Sequence, residues 1–537
     1  MLWKLLAVLF VIWSVYRWRN RRKIALAKPL SRKAIALPLV GHGYTFLGSD
    51  EDRFKEVEAI GRESYENGGI IAQWQGHLLY LVVSEPELIE VVLKSCLEKD
   101  DLMRMFRVLL GNGSIFAPGE LVRCFFTTNM ASSSKDLSSD VQPEKPQFIR
   151  WGVCSTEQGH VGSAQNCQSE GTSTYKNTHI HGLIKFIVLS ETTLGIDMRS
   201  QLEPELPFLQ AFENCCRIDA KRIFQPWLYN DTINKIFCRS AYDSYDRSKK
   251  FIWKFMDKII SSKWASLKKE AEEPNNEEPK DNWKTFLELL MESPAEYSNL
   301  ELREETLVIV LAGTDTSAVG SAFTTLLLAK YPETSIIVTV GMTATSLATQ
   351  SFSYDWLQEV FGDSDRPVTH EDLPRLKYLD AVIRESLRLY PPVPLITRKI
   401  EKDVVLPNGV TLVDGCSVIV SIWAVHRNPR YWGDDAEEFR PERFLDTTLK
   451  HPAAFMPFSY GPRNCLGYLY AMMSMKTAMA TLVRRYRIRP GDDQTGKERI
   501  RVKFGIMLKP VNGFIVKLEP RTKGETNRVN LFGPIGA

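Results

Sequence analysis

One tight, glycine-containing stretch of the sequence offers a single thiol in a setting that favours metal binding. The stretch, Phe458–Gly467, reads Phe-Ser-Tyr-Gly-Pro-Arg-Asn-Cys-Leu-Gly, with Cys465 as its thiol. Its glycines let the backbone turn sharply and approach a flat ligand closely, and Pro462 stiffens the turn. Arg463 adds a positive charge, and a helical pattern begins at Leu466. A helix N-terminus favours a thiolate, which is the form of cysteine that ligates metals.

Taken alone, the same stretch is also compatible with a turn that contains an ordinary buried cysteine. The complete pattern Phe-x-x-Gly-x-Arg-x-Cys-x-Gly argues against that interpretation, and it resembles the haem-binding loop of the cytochromes P-450. The resemblance implies that Cys465 is the axial ligand of the iron of haem b, iron protoporphyrin IX. It also implies that the remaining pattern residues contact this cofactor, namely Phe458, Gly461, Arg463 and Gly467.

A second candidate element is a long helical pattern, Leu302–Lys330, with polar residues in its middle. The run Ala312–Ser317 has poor helix propensity. It is compatible with an inert distorted helix, or with a local opening that admits water and a hydroxyl to bound dioxygen. The resemblance implies that Thr316 holds the hydrogen bond to oxygen and that Asp315 connects it to solvent.

The same helix bears on how the cofactor is held. Members of family 4 within the cytochromes P-450 often carry a glutamate where this chain has Ala312, and that glutamate can become esterified to the haem. The resemblance therefore implies that Ala312 lies at the haem and that the haem is not covalently attached.

A charged pair and an arginine further along the chain resemble the family's structural network. Glu385 and Arg388 share one face of a predicted helix, Leu376–Leu389, and taken alone could be an ordinary surface ion pair. The chain continues with Tyr390-Pro391-Pro392 and later Phe439-Arg440-Pro441-Glu442-Arg443-Phe444. The resemblance implies that Glu385, Arg388 and Arg443 form a buried network that supports the haem loop.

The segment after the two prolines is expected to face the cofactor and the substrate. The resemblance implies that Arg398 pairs with a haem propionate. It also implies that Val393, Leu395 and Ile396 line the substrate cavity.

The N-terminus predicts a membrane anchor. Leu2–Val15 is almost wholly apolar, and a basic cluster follows it. The run is short for a spanning helix, which needs about 20 residues, but it lacks the small-residue cleavage site of a signal peptide. We interpret residues 1–23 as an anchor with a basic stop and residues 24–50 as a Pro/Gly hinge. Basic residues after the span predict an endoplasmic reticulum protein whose catalytic domain is on the cytosolic face.

Composition excludes some other classes. The chain has 537 residues and a formal net charge of +3, which argues against nucleic acid as a main partner. Its nine cysteines include no CxxC pair, and this usage is typical of a reduced, cytosol-facing environment.

Two stretches depart from the family pattern, at about 117–185 and 334–356. The first lacks the Trp-x-x-x-Arg helix whose residues contact a haem propionate, and it is rich in Ser, Thr, Gln and Asn. Sparse apolar residues predict poor order there. In the second, residues 335–341 read as a strand and a Ser/Thr-rich run follows. Our hypothesis for both stretches is that a family segment has been replaced, by a mis-spliced exon or a gene-model error.

The sequence thus predicts a mainly α fold with a small β region, the cytochrome P-450 fold. One large haem-binding domain, residues 51–520, follows the anchor, and 521–537 form a tail. The predicted function is a haem-thiolate monooxygenase that inserts one atom of dioxygen into a fatty acid, lipid or xenobiotic. Its electrons would come from NADPH through NADPH-cytochrome reductase, with cytochrome b5 as a further donor. The alternative is a non-catalytic or misfolded haem protein, because the Trp-x-x-x-Arg helix is missing.

Overall fold

Helices dominate the described part of the chain, and the strands form small sheets, as predicted. The computed structural model describes residues 11, 14–37, 40–76, 78–100, 103, 106–113, 175–179, 193–194, 207–225, 231–272, 284–293, 297–340, 357–362, 364, 366–445, 448–491 and 498–521. The chain divides into unit 1 (Met1–Met105, Val393–Glu437 and Leu449–Cys465) and unit 2 (Phe106–Pro392, Glu438–Thr448 and Leu466–Ala537). The predicted domain boundaries stay predictions.

The α-helices are α1 (Arg21–Ala27), α2 (Asp50–Glu66), α3 (Pro86–Ser95), α4 (Arg107–Leu110), α5 (Pro207–Phe224), α6 (Asp231–Phe237), α7 (Arg239–Glu272), α8 (Phe286–Met291), α9 (Asn299–Lys330), α10 (Pro332–Val340), α11 (Leu357–Phe361), α12 (Lys377–Leu389), α13 (Ile422–Val425), α14 (Pro429–Trp432) and α15 (Tyr468–Arg485). Short 3₁₀ helices occupy Gly43–Phe46, His370–Arg375, Pro441–Phe444, Pro452–Ala454 and Gly461–Arg463.

The strands are β1 (Ile70–Gln75), β2 (Leu78–Val83), β3 (Tyr175–His179), β4 (Leu395–Lys399), β5 (Val404–Val405), β6 (Thr411–Leu412), β7 (Ser417–Ser421), β8 (Tyr486–Pro490), β9 (Val502–Phe504), β10 (Leu508–Pro510) and β11 (Ile515–Pro520). They form sheets of order β1-β2-β7-β4, β3-β11-β8, β9-β10 and β5-β6.

Unit 1 is built on the sheet β1-β2-β7-β4. Strands β1 and β2 form a hairpin that pairs antiparallel from Ile70↔Val83 to Gln75↔Leu78, and β2 runs parallel to β7. Val, Ile and Leu side chains of this sheet are buried with those of α3, which forms one apolar core. Helix α2 begins at a capping box in which Ser49 and Asp52 satisfy each other's free backbone N–H groups. This sheet carries β4, and therefore Arg398, at its edge.

The segment predicted as a hinge makes specific contacts within unit 1. The Arg32 guanidinium, 4% exposed, bonds to Glu56 at 2.9 Å and to Glu63 at 3.1 Å, both on α2. It also donates to the side-chain oxygen of Gln73 at 2.7 Å. These bonds tie the connector to α2 and β1.

Unit 2 is organised around α9. Ser298 and Glu301 form a capping box at its start, and α12 and α15 pack against it. Phe323 of α9 stacks on Tyr390 with ring centroids 4.8 Å apart and meets Phe514 edge-on at 5.0 Å. Within the described residues, α9 is the one helix long and apolar enough to cross a bilayer, and most of it is buried inside the protein. It is therefore a core helix, and most of the predicted anchor segment lies outside the described residues.

One prediction about the atypical stretches is wrong. Residues 335–340, predicted as a strand, belong to α10, which starts with Pro332 at a position that suits helix initiation. Packing on α11 and α15 outweighs the modest helix penalty of its β-branched residues. In the first stretch, β3 pairs antiparallel with β11 at Ile515↔His179 and Val516↔Thr178, and the poor order predicted for that stretch as a whole stays a prediction. The rest of the two stretches lies outside the described residues.

Candidate functional site

The candidate haem loop closes on itself in unit 1. The backbone N–H of Cys465 donates to the carbonyl of Phe458 at 2.8 Å, and Asn464 N–H donates to the Gly461 carbonyl at 3.1 Å. The Cys465 side chain is exposed. Upstream of the loop, His426 Nε2 accepts the backbone N–H of Met456 at 2.9 Å. A short segment of rigid backbone thus presents one thiol.

The two pattern glycines of the loop, Gly461 and Gly467, differ in how strongly the surrounding residues require a glycine. Gly461 has a φ of +77°, and a Cβ there would lie 3.0 Å from the Leu93 carbonyl of α3, so packing within unit 1 requires a glycine. A Cβ on Gly467 would meet no atom of a described residue within 4 Å. Packing against the described residues therefore does not explain Gly467. Ser459 has a φ of 67° without being glycine, a conformation that costs about 1–3 kcal/mol and tends to occur at functional sites.

Arg398 is a buried cation with few protein partners. It lies on β4 with 1% of its surface exposed. Its Nη1 donates to the Thr397 carbonyl at 2.9 Å, whereas Nε and Nη2 are buried and make no hydrogen bond to a described residue. Burial, and next the nearby Arg463 guanidinium, lower the pKa of Arg398 to about 10. Such an arrangement is unfavourable unless an anion neutralises it.

A third cation, missed by sequence reasoning, lies beside these two. Burial, Arg398 and Arg463 hold the pKa of Lys99 well below its ordinary value. The Lys399 N–H donates to the Glu98 carbonyl at 3.0 Å, which ties the backbone next to Lys99 to the end of β4. In the sequence Lys99 sits between Glu98 and Asp100 and looks like part of a solvated charged turn. No local pattern distinguishes it, because its neighbours come from distant segments.

The predicted oxygen-side residues lie on α9 in unit 2. The Thr316 hydroxyl donates to the Ala312 carbonyl at 2.7 Å, and Asp315 is buried. The helix is continuous from Asn299 to Lys330, so the predicted local opening is absent from this fully described element. Hydroxyl-to-carbonyl bonds of this kind let polar side chains remain within a helix.

The structure also brings a thiol from α5 to the same part of unit 2. Burial, and next the Asp315 carboxylate, raise the pKa of Cys216 well above its ordinary value. Sequence reasoning did not single out Cys216, since nothing in its local pattern indicates proximity to α9.

The predicted charged network forms within unit 2. Arg388 Nε and Nη2 donate to the two Glu385 carboxylate oxygens at 2.7 and 2.8 Å, with both side chains fully buried. Glu385 also accepts the Arg440 N–H at 2.9 Å, and Arg443 Nε lies 3.4 Å from it. Arg388 donates further to the Glu438 carbonyl at 3.0 Å. The network fixes α12 to the 438–443 segment.

The residues predicted to line the substrate cavity lie at the edge of the unit 1 sheet. Leu395 and Ile396 belong to β4, where they pair with Ser421 and Val420 of β7, and both are half-buried. Val393, also half-buried, precedes the strand. Their contact with substrate stays a prediction.

Comparison with known proteins assigns the class. The cytochrome P450 family model matches residues 33–516, so the chain belongs to the cytochrome P450 family and is a haem-thiolate monooxygenase. Among its relatives, cytochrome P450 4V2 of Mus musculus is 28% identical, with 94% of this chain and 91% of the relative covered. Human cytochrome P450 4V2 is 27% identical, with 94% and 92% covered. Cytochrome P450 4d2 of Drosophila melanogaster is 27% identical, with 95% and 97% covered.

Removing the acidic member of the buried network should destabilise unit 2. We expect Glu385→Ala to lower the free energy of unfolding by about 3–5 kcal/mol, because two arginines then lose their anion in a dry environment. Urea unfolding followed by circular dichroism measures the change. Lys250→Ala, which breaks an exposed ion pair with Asp246, is the matched control and should shift the midpoint little. Equal midpoints for the two variants would contradict a supporting role for Glu385.

Proposed function

We propose that this cytochrome P450 is membrane-anchored and hydroxylates apolar substrates, with Cys465 as the axial haem ligand. The observation that carries the proposal is the closed loop with its exposed thiol, bonded from Cys465 N–H to the Phe458 carbonyl at 2.8 Å. When bound, thiolate-ligated haem supplies O–O bond cleavage and insertion of one oxygen atom. Because Ala312 has no carboxyl group to esterify, we propose that haem b is held without a covalent link.

The cations of unit 1 fit the carboxylate side of haem. Two nitrogens of Arg398, Nε and Nη2, are buried, and their N–H groups have no acceptor among the described residues. Lys99 and Arg463 lie close enough for all three cations to affect one another. Haem b brings two propionates, and charge-assisted bonds to carboxylates are the strongest available to such donors. We assign propionate binding to Lys99, Arg398 and Arg463, and haem contact to Phe458, Gly461 and Gly467.

Thr316 and Asp315 supply the protons in this proposal. The Thr316 hydroxyl is oriented by its bond to Ala312 and keeps lone pairs free to accept a further hydrogen bond. Asp315 lies on the same helix, directly before Thr316, and its carboxyl group can release and take up a proton. Thr316 would position a proton and Asp315 would replenish it.

The partners and location follow from the family and from the N-terminal sequence. We propose NADPH-cytochrome reductase as electron donor and cytochrome b5 as an additional donor. We also propose that the protein is located in the endoplasmic reticulum membrane, with its catalytic domain on the cytosolic face. The apolar run Leu2–Val15 followed by basic residues supports that orientation. The proposed substrate is a fatty acid, lipid or xenobiotic. We propose that Val393, Leu395 and Ile396 line the cavity that holds it.

The competing function is a haem protein without catalysis, motivated by the missing Trp-x-x-x-Arg helix. Lys99 weakens the argument for this competing function, because it provides positive charge next to Arg398 in the absence of that helix.

Replacing the thiol tests the ligand assignment and the competing function together. Cys465→Ser should abolish the thiolate-type Soret band of the reduced carbon monoxide complex, because a hydroxyl cannot replace the thiolate. Cys238→Ser, at a half-exposed thiol in unit 2, should keep the band. A Cys465→Ser protein with an unchanged band would refute the ligand assignment. A wild-type chain that takes up haem and shows the band but gives no product with any of a panel of fatty acids would support the non-catalytic alternative.

Removing the buried cation should have opposite effects on haem-free and haem-bound protein. We expect Arg398→Met to stabilise the haem-free chain by about 1–3 kcal/mol, because a desolvated charge is lost. The same variant should release haem faster to an apomyoglobin acceptor, as should Lys99→Met. Lys402→Met, at an exposed lysine of unit 1, is the control and should change neither quantity. Unaltered haem release in both cluster variants would contradict the propionate assignment.

Removing the proposed proton donor should uncouple electron use from product. Thr316→Ala should lower product formed per NADPH consumed by about tenfold or more, since positioned proton transfer contributes roughly 10²–10⁴-fold. Thr324→Ala removes an equivalent hydroxyl, which donates to the Gly320 carbonyl at 2.9 Å further along α9, and should leave coupling unchanged. Equal coupling in the two variants would remove Thr316 from the mechanism.

A further inference from the structure

A basic pocket in unit 1 is lined by none of the residues assigned to the haem or the substrate. It has a volume of about 350 Å³ and is bounded by the helical residues before and within α1 and by the ends of β2, β4 and β7. That volume is within the range of about 300–1,000 Å³ typical of small-molecule sites. Arg19, Lys23 and Lys399 supply its charge, and none of the described residues that line it is acidic.

One cation of the pocket, Lys23, is held in place by a contact with the backbone. The Lys23 ammonium donates to the Gly415 carbonyl at 2.8 Å. Lys23 and Lys399 both lower the pKa of Cys416, which burial raises, so the two ammonium groups lie near the same short segment. Of the nearby carboxylates, Asp403 pairs with the exposed Arg22. The Asp414 carboxylate raises the pKa of Cys416 and so opposes the effect of the two lysines on that pKa.

One side of the pocket is apolar. Val15, Leu78 and Leu79 line it together with Tyr16. Val15 is 50% exposed and ends the apolar run that we propose to lie in the membrane. The pocket therefore combines anion-binding groups with a hydrocarbon-compatible wall at the level where lipid head groups meet water.

We propose that this pocket binds the phosphate-bearing head group of an anionic membrane lipid. Arg19, Lys23 and Lys399 would bind the phosphate oxygens, and Val15 and Leu79 would contact the first part of the glycerol and acyl region. Basic clusters and pockets beside a membrane span on the cytoplasmic side recognise such head groups. The inference rests on the proposed location at the membrane and on none of the proposed haem chemistry.

Titration calorimetry of the full-length, haem-loaded protein in neutral detergent tests the proposal. The probes are dioctanoyl phosphatidylinositol 4-phosphate, dioctanoyl phosphatidylcholine and free inositol 1,4-bisphosphate. We expect saturable binding of the anionic lipid and none of the zwitterionic one. Arg19→Gln and Lys399→Gln should each weaken binding by about fivefold, on the scale of one cation near a lipid surface. The haem spectrum, recorded in parallel, should stay that of the wild type.

Arg17→Gln and Arg21→Gln are the matched controls, because they remove the same charge from the same stretch of helix outside the pocket lining. They should weaken binding less than twofold. Equal losses for pocket and control variants would overturn the proposal in favour of diffuse attraction to a basic segment, and so would the absence of saturable binding. Binding of the free inositol phosphate as tight as that of the lipid would support the phosphate chemistry and assign a soluble ligand. Arg19 is exposed, so its variant tests the site without a change in packing.

Discussion

Burial of charged side chains constrains both units of this protein. In unit 2 the Glu385 carboxylate has no exposed surface, and Arg388 meets both of its oxygens with parallel bonds. In unit 1 Arg398 is almost equally buried, yet its Nε and Nη2 find no acceptor among the described residues. The first charge is neutralised by the chain itself. The second charge has no such partner among the described residues, and the haem propionates that we propose as its partners have the required chemistry.

The long helix α9 reconciles polar side chains with a buried position. Four of its threonine hydroxyls, on Thr314, Thr316, Thr324 and Thr325, donate to the carbonyl four residues earlier. Each bond satisfies a polar group that would otherwise be unpaired inside the protein. The helix therefore stays continuous through the run Ala312–Ser317, which its low helix propensity had suggested would open. The hydroxyl of Thr316 is held in a defined direction without distorting the backbone.

The basic N-terminal segment gives unit 1 a feature unrelated to catalysis. Arg32 ties the connector after α1 to α2 through two carboxylates, so this connector is more specifically held than its Pro/Gly composition suggested. The pocket beside α1 places three cations at the ends of β2, β4 and β7, in the sheet that carries Arg398. The proposed lipid site and the proposed propionate site therefore involve neighbouring residues of the same strand, Lys399 and Arg398.

The sequence by itself determined the family, and it predicted the candidate haem loop and the helices at Leu302–Lys330 and Leu376–Leu389, because these depend on local patterns. Phe458–Gly467 and the Glu385–Arg388 spacing are readable since their residues are close in the chain. The tertiary structure alone decided that residues 335–340 are helical, where packing overrides β propensity, and that β3 pairs with β11. It alone brought Lys99 beside Arg398 and Arg463, and Lys23 beside Lys399. No sequence window contains such neighbours, because the charge of one segment acts on another only after the chain has folded.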